Sequence, residues 1–239
     1  MTTLVVGANG ATGRLLVAEL LQRGHGVRAV VRSSKSLPAE MRDNPQLTVI
    51  EASVLDLTDG ELARHVRGCG AVVSCLGHNL TFQGLFGPPW RLVTAATRRL
   101  CTAIKASESD EPVRFVLMNT TGVRNRDLDE RISFSQKIVT GLLRLLLPPH
   151  ADNEAAANYL RKQIRSSDAA IDWAVVRPDG LIDEDRVTEY ELHASPIRSA
   201  IFDPGKTSRI NVAHFMAELA TDEMAWNTWK GRMPVIYNR

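Results

Sequence analysis

The residues best placed to do chemistry gather at the start of the chain. Leu4-Val5-Val6 runs into Gly7-Ala8-Asn9-Gly10-Ala11-Thr12-Gly13, and Arg14 leads a helix-like stretch that reaches Gln22. The order strand, Gly-x-x-Gly-x-x-Gly turn, helix carries more weight than the glycines alone. A glycine-rich turn lets backbone approach a diphosphate, and Gly13 lets the following helix pack tightly on the sheet. The helix N-terminus then offers unpaired N–H groups and a partial positive charge. The expected chemistry is dinucleotide binding.

The second apolar run, Val27 to Val31, ends at Arg32-Ser33-Ser34-Lys35. A fold that prefers NAD usually carries an acid here, to accept hydrogen bonds from the adenine ribose 2′-OH. This chain has Arg32 instead, with Lys35 nearby and Arg14 in the first turn. These cations, with Ser33, suit a 2′-phosphate, so the reading is NADP.

The rest of the chain must position that turn. A length of 239 residues with 44% hydrophobic content suits one α/β domain with a full core. The net charge of +2, without a Lys/Arg run, argues against nucleic acid. The longest oily stretch, Ile138 to Leu147, is broken by Thr140, Gly141 and Arg144, so no membrane span is expected. The chain is expected to enter its first strand at Leu4, which leaves no room for a signal or transit peptide, and Cys69, Cys75 and Cys101 lack metal or redox spacing. A cytoplasmic protein with reduced thiols is expected. The histidines His25, His65, His193 and His214 share no ligand spacing, and no metal site is expected.

Short β-branched runs at Leu4–Val6, Val27–Val31, Leu47–Ile50, Ala71–Cys75, Val113–Met118 and Ile171–Val176 read as strands covered on both faces. Helical stretches at Arg14–Gln22, Gly60–Val66 and Pro89–Ala106 fall between them. Thr58 or Asp59 caps the second, and Pro89 suits the first turn of the third. The pattern is an α/β Rossmann-type doubly wound parallel sheet, a single domain over residues 1–239. Residues 122–158 and 183–239 form substrate-side and C-terminal additions. The first reads as a loop plus one or two helices, with a helix from Asn153 to Arg165 before the Ile171 strand. In the second, a short strand enters a helix over Ser208–Leu219, and Trp226, Trp229 and Val235-Ile236-Tyr237 pack back onto the body.

The chain resembles the atypical short-chain dehydrogenase/reductases, in particular the NAD(P)H-binding group of NmrA-like and biliverdin reductase B-like proteins. The landmarks are the Gly7–Gly13 turn, Val72-Val73-Ser74-Cys75-Leu76-Gly77, Val116-Leu117-Met118-Asn119-Thr120-Thr121-Gly122, Asp172-Trp173-Ala174-Val175-Val176-Arg177-Pro178, and Ile210-Asn211-Val212-Ala213, where the family has aspartate at position 211. The resemblance implies that Gly7, Asn9, Gly10, Ala11, Thr12 and Gly13 cradle the diphosphate, and that Arg14, Arg32 and Lys35 hold the 2′-phosphate. It implies that Ser53, where the family has aspartate, and Val54 flank adenine. Ser74, Cys75, Leu76 and Gly77 would run along the ribose and diphosphate. Thr120, Thr121 and the backbone after Pro178 would approach the nicotinamide.

The usual Tyr-x-x-x-Lys pair of this superfamily is missing. Tyr159 is followed at the required spacing by Gln163 and Tyr190 by Ala194, while Tyr237 lies near the chain end. Aligning the helix before Ile171 with the family places the pair near His150 and Glu154, a histidine with a carboxylate on the same helical face. The competing reading of His150 is a solvated helix-start residue beside Pro149, with Asp152 a capping or first-turn acid. His78, directly after Gly77, faces a substrate or simply sits in a loop. The candidate catalytic residues are therefore Thr121 and His150. The favoured function is an NADPH-dependent reductase of a small or planar acceptor of the quinone, flavin or tetrapyrrole type, which can take its proton from water. The oily 138–147 segment with Phe82, Phe86 and Trp90 either lines its pocket or is ordinary core. The alternative is a non-catalytic NADP(H)-binding regulator with a protein partner. A nucleotide-sugar epimerase is disfavoured, because such enzymes depend on the tyrosine and lysine.

Overall fold

The structure, a computed structural model, describes residues 1–78, 81, 87–128, 130 and 134–239, with some side chains of 134–146 left aside. In chain order the elements are β1 (Thr2–Val6), α1 (Ala11–Gln22), β2 (Gly26–Val31), α2 (Ala39–Arg42), β3 (Leu47–Glu51), α3 (Asp59–Val66), β4 (Ala71–Ser74), α4 (Leu92–Lys105) and β5 (Val113–Met118). There follow α5 (Phe134–Leu146), α6 (Pro148–Tyr159), β6 (Ile171–Pro178), β7 (Gly180–Ile182), β8 (Tyr190–His193), β9 (Lys206–Ser208), α7 (Arg209–Thr221), α8 (Glu223–Trp229) and β10 (Val235–Asn238).

The main sheet has the strand order β3-β2-β1-β4-β5-β6-β10-β8. Its strands pair in parallel except β8, which runs antiparallel to β10. Alternation along each strand divides the core. Leu4, Val6, Val72, Phe115, Leu117, Trp173 and Val175 face one side with α3, α4 and α6. Val5, Val73, Val116, Ala174 and Val176 face the other, under α1, α7 and α8. On α4, Val93, Ala96, Leu100 and Ile104 recur at helical spacing and are buried against the first face.

The expected strands all form, with β4 stopping one residue short at Ser74. Cys75 still donates its N–H to the Val6 carbonyl. The helix after the cleft starts at Leu92 rather than at Pro89, because its N-terminus is fixed from outside. Asp152 on α6 accepts from Val93 N at 2.8 Å and from Thr94 N at 2.9 Å. Asp152 is thus a cap, but of a different helix from its own. The helix expected from Asn153 begins earlier, with Pro148 in its first turn, and ends in a π-helical turn at Leu160–Ile164. Residues 122–158 do hold a loop and two helices, and Trp226 and β10 pack back onto the sheet as expected.

Candidate functional site

β1 ends at Val6, and Gly7 turns the chain with φ +74, a left-handed conformation that glycine adopts without strain. A Cβ on Gly7 would lie 2.8 Å from the carbonyl carbon and oxygen of Cys75, so the turn lies directly against the end of β4. A Cβ on Gly13 would lie 2.1 Å from the Gly7 oxygen. Gly10 N donates to Gly7 O at 3.0 Å, closing the turn, and α1 begins with no side-chain cap and no acid in its first turn. The first amides of α1 therefore open outward from a cradle that any side chain would fill, which is a diphosphate receptor in form.

A cavity of about 450 Å³ lies over this turn at the carboxyl edge of the sheet. Its wall takes Gly7, Asn9 and Gly10 from the turn, Arg32 beyond β2, Ser53 and Val54 beyond β3, and Cys75, Leu76 and Gly77 beyond β4. The strands that carry them are neighbours in the sheet, so residues far apart in sequence meet in one cleft. The Ser53 loop is pinned from behind by Arg99 of α4, which donates to Val54 O at 3.0 Å and Leu55 O at 2.6 Å and also reaches Leu57 O. Sequence reasoning missed this residue, because nothing local marks an arginine whose partners are backbone carbonyls of another loop.

Arg14 and Lys35 are exposed, and Ser33 precedes a short turn in which its carbonyl accepts from Ser36. Another residue that sequence reasoning missed is Glu51, whose Oε2 accepts from Ser34 N at 2.9 Å. The Ser34 hydroxyl and amide, then Lys35, hold its carboxyl below the usual range. An acid thus does stand beside the Arg32–Lys35 turn and is engaged by it. Cys75 is neutral, because burial pushes its thiol up to about 12. Ser74 Oγ is fully buried and has no hydrogen-bond partner among the described residues.

At the end of β5, Asn119 Nδ2 donates to Asn153 O at 3.0 Å and so fastens α6 to the sheet. This puts His150 beside Thr120 and Gly122: a Cβ on Gly122 would lie 3.5 Å from His150 Cε1 and 3.8 Å from Thr120 Oγ1. The structure therefore brings His150 to the end of β5, beside Thr120. Burial lowers the His150 pKa, with Glu154 opposing and Arg144 reinforcing the shift. Glu154, expected to orient the imidazole, forms ion pairs instead, with Arg126 at 2.7 Å and Arg144 at 2.5 Å. Thr121 is buried, its amide donating to Pro178 O at 3.0 Å and its hydroxyl 3.5 Å from the same oxygen. Thr120, only partly buried, is the threonine that stands with His150. Thr120, Thr121, His150 and Pro178 are not on the wall of the described cavity.

The tyrosines are spent elsewhere. Tyr159 packs under the Arg98 guanidinium at 5.3 Å, and Tyr190 OH donates to Glu218 Oε2 at 2.9 Å on α7. Phe82 and Phe86 lie outside the described residues, while Trp90, Leu142 and Leu146 are exposed. Among the described residues no group of three or more His, Cys, Asp or Glu is placed to hold a metal ion, and no helix is long and apolar enough to cross a membrane.

A family model described as NAD(P)H-binding matches residues 7–223. An uncharacterised chloroplastic protein of Arabidopsis thaliana is 27% identical over 177 residues, 74% of this chain and 58% of that protein. The chain thus spans less than two thirds of that relative's length. A short-chain dehydrogenase/reductase of Veillonella parvula, solved in complex with NADP, superposes with TM-score 0.68 at 18% identity, over 99% of this chain and 94% of that one. The anaerobillin reductase ChuY of Escherichia coli O157:H7 gives TM-score 0.68 at 18% identity, over 100% and 97%.

Proposed function

The chain belongs to the NAD(P)H-binding family, and from that premise we propose that it is an NADPH-dependent oxidoreductase acting on a small or planar acceptor of the quinone, flavin or tetrapyrrole type. The observation that carries the reading is the cleft itself: a glycine cradle closed to any Cβ, with Arg32 on its far wall. The α1 amides and the Gly7–Gly13 backbone receive the diphosphate. Arg32, with Arg14 and Lys35 alongside, meets the 2′-phosphate, and Ser53 and Val54 flank adenine. Glu51 is the acid that would otherwise favour a free ribose hydroxyl, and its engagement with Ser34 leaves Arg32 to set the preference. When bound, the dinucleotide supplies the hydride chemistry.

The acceptor class follows from what the nicotinamide end lacks. No tyrosine–lysine pair is present to pass a proton, and His150 is biased by burial toward its neutral form. An acceptor that draws its proton from water suits such a site. The NADP complex of the Veillonella neighbour and the reductase name of ChuY support the reading by analogy of fold.

The test is a fluorescence titration with NADPH and NADH, on the wild type and on Arg32→Ala, followed by an acceptor screen. NADPH is expected to bind more tightly than NADH, and Arg32→Ala to weaken NADPH by roughly ten- to hundredfold, as for loss of a charge-assisted contact. Failure to bind either cofactor would overturn the proposal. Tight NADPH binding without turnover of any quinone, flavin or tetrapyrrole would favour the regulatory alternative.

A further inference from the structure

The turn that follows β2 hangs between two buried anchors. Val31 and Leu37 are each 2% exposed, and residues 32–36 cross the surface between them. Arg32 is exposed and stands on the wall of the cleft. Among the described residues no ion pair or side-chain hydrogen bond holds its guanidinium. The backbone of the turn therefore decides where that charge is carried. Within the turn, Ser36 N donates to Ser33 O at 3.2 Å and Leu37 N to Ser34 O at 3.1 Å. These bonds fix its curl but not its place beside the cleft.

The place is set by two contacts from elements distant in sequence. One comes from β3, at the edge of the sheet, where Glu51 lies in register with Val31. Glu51 Oε2 accepts from Ser34 N at 2.9 Å. The other comes from the glycine turn. Asn9 Nδ2 donates to Ser36 Oγ at 3.2 Å, and Ser36 Oγ donates to Ser33 O at 2.5 Å. Asn9 itself is on the cleft wall. The glycine turn, the basic turn and the end of β3 thus form one connected frame.

We propose that Glu51 is a positioning residue for cofactor selection: by holding Ser34 it keeps Arg32 at the cleft, so this acid raises the preference for a 2′-phosphate instead of opposing it. Ser36 does the same from the side of the glycine turn. The inference rests on the cofactor reading above. An acid near a phosphate site has two opposed effects. Its charge repels the phosphate, but Glu51 is exposed and is not on the described wall, so water and salt screen that repulsion. Its hydrogen bond to Ser34 is direct, and it removes freedom that the turn would otherwise lose on binding. The second effect prevails. NADH has no 2′-phosphate and gains nothing from Arg32, so the frame matters to NADPH alone.

The experiment is fluorescence titration of NADPH and of NADH into the full chain, as wild type, Glu51→Gln, Glu51→Ala and Ser36→Ala. It needs no turnover. Both positions are exposed, so none of these substitutions opens the core. Glutamine keeps an oxygen that can accept from Ser34 N and drops the charge, whereas alanine drops both. Glu51→Ala is expected to weaken NADPH by roughly three- to tenfold, the modest loss of an exposed charge-assisted bond, and to leave NADH unchanged. Glu51→Gln is expected to retain most of the NADPH preference. Ser36→Ala is expected to weaken NADPH selectively, in the same direction as Glu51→Ala. An unchanged or increased NADPH preference in Glu51→Ala would overturn the inference. So would equal effects of alanine and glutamine, which would assign the role to charge, or a parallel loss of NADH, which would make the contact merely structural. Each of these leaves the cofactor reading standing. A wild type that binds neither cofactor, or that does not prefer NADPH, would overturn both.

Discussion

Gly13 cannot carry even one methyl group, since its Cβ would sit 2.1 Å from the Gly7 oxygen, a backbone atom that cannot swing aside. Gly13→Ala is expected to separate α1 from the turn, costing about 1–3 kcal/mol in urea unfolding and most of the NADPH affinity. Retained affinity would show that the cradle tolerates a shifted helix. His150 supports a pH prediction. Its pKa is lowered chiefly by burial, so the unfolded chain binds a proton there more readily than the folded one. Stability is then full above the ordinary histidine value and falls as pH drops through it toward the lower folded value. His150→Gln is expected to flatten the stability curve between about pH 7 and about pH 5 in denaturant titrations. His25 and His65, lowered by burial in the same direction, leave part of the slope in place. Identical slopes would show that the imidazole is hydrated. The Gly7–Gly13 spacing could be read from the chain directly, because a turn of this kind is a local object. The burial of His150 could not, because it comes from packing against a strand end far away in sequence.

The helix ends separate local from non-local causes. Thr58 and Glu61 form a reciprocal capping box on α3, with Glu61 N donating to Thr58 Oγ1 at 3.3 Å and Thr58 N to Glu61 Oε2 at 2.8 Å. Its signal lies within four consecutive residues, and Thr58 was a candidate cap on sequence grounds. The N-terminus of α4 depends on Asp152, 58 positions away from Thr94. No local rule finds such a cap, and the misplaced start at Pro89 follows from that. The two differ in burial, so they should differ in cost. Thr58→Ala is expected to lose about 1 kcal/mol. Asp152→Ala leaves buried amides of α4 without an acceptor and is expected to lose about 2–4 kcal/mol. Urea midpoints for the two variants provide the comparison, and equal losses would mean that water replaces Asp152 at the helix end.

Across the whole molecule, Arg177 joins parts that local patterning leaves separate. It is fully buried and donates to Met233 O at 2.7 Å, Val123 O at 3.0 Å and Ala194 O at 3.2 Å. Its Nη2 is also 2.8 Å from Glu130 Oε1, a contact of charges rather than an aligned hydrogen bond. The β5–α5 loop, the β8 end and the approach to β10 are thus tied to β6 through one guanidinium. Arg177→Met is expected to destabilise by about 3–5 kcal/mol, with Glu130 left as an unpaired buried charge. Adding Glu130→Gln should recover part of that loss. A double variant no more stable than the single one would place the cost in the carbonyl contacts instead.

The strand runs, the glycine turn, the basic turn after β2 and the family were all legible in the chain, because each is written in residues close together. Strand alternation and glycine spacing act over a few bonds and report themselves wherever they occur. The tertiary structure alone decided which side chains meet around them. It placed Asp152 on α4 and His78, gave Glu154 to two arginines, set Glu51 against the Ser34 turn, and ran Arg99 behind the Ser53 loop. Those pairings depend on the order of parallel strands and on helices crossing between them. A buried charge takes its partner from whichever element arrives in space, and neighbours in sequence carry no record of that choice.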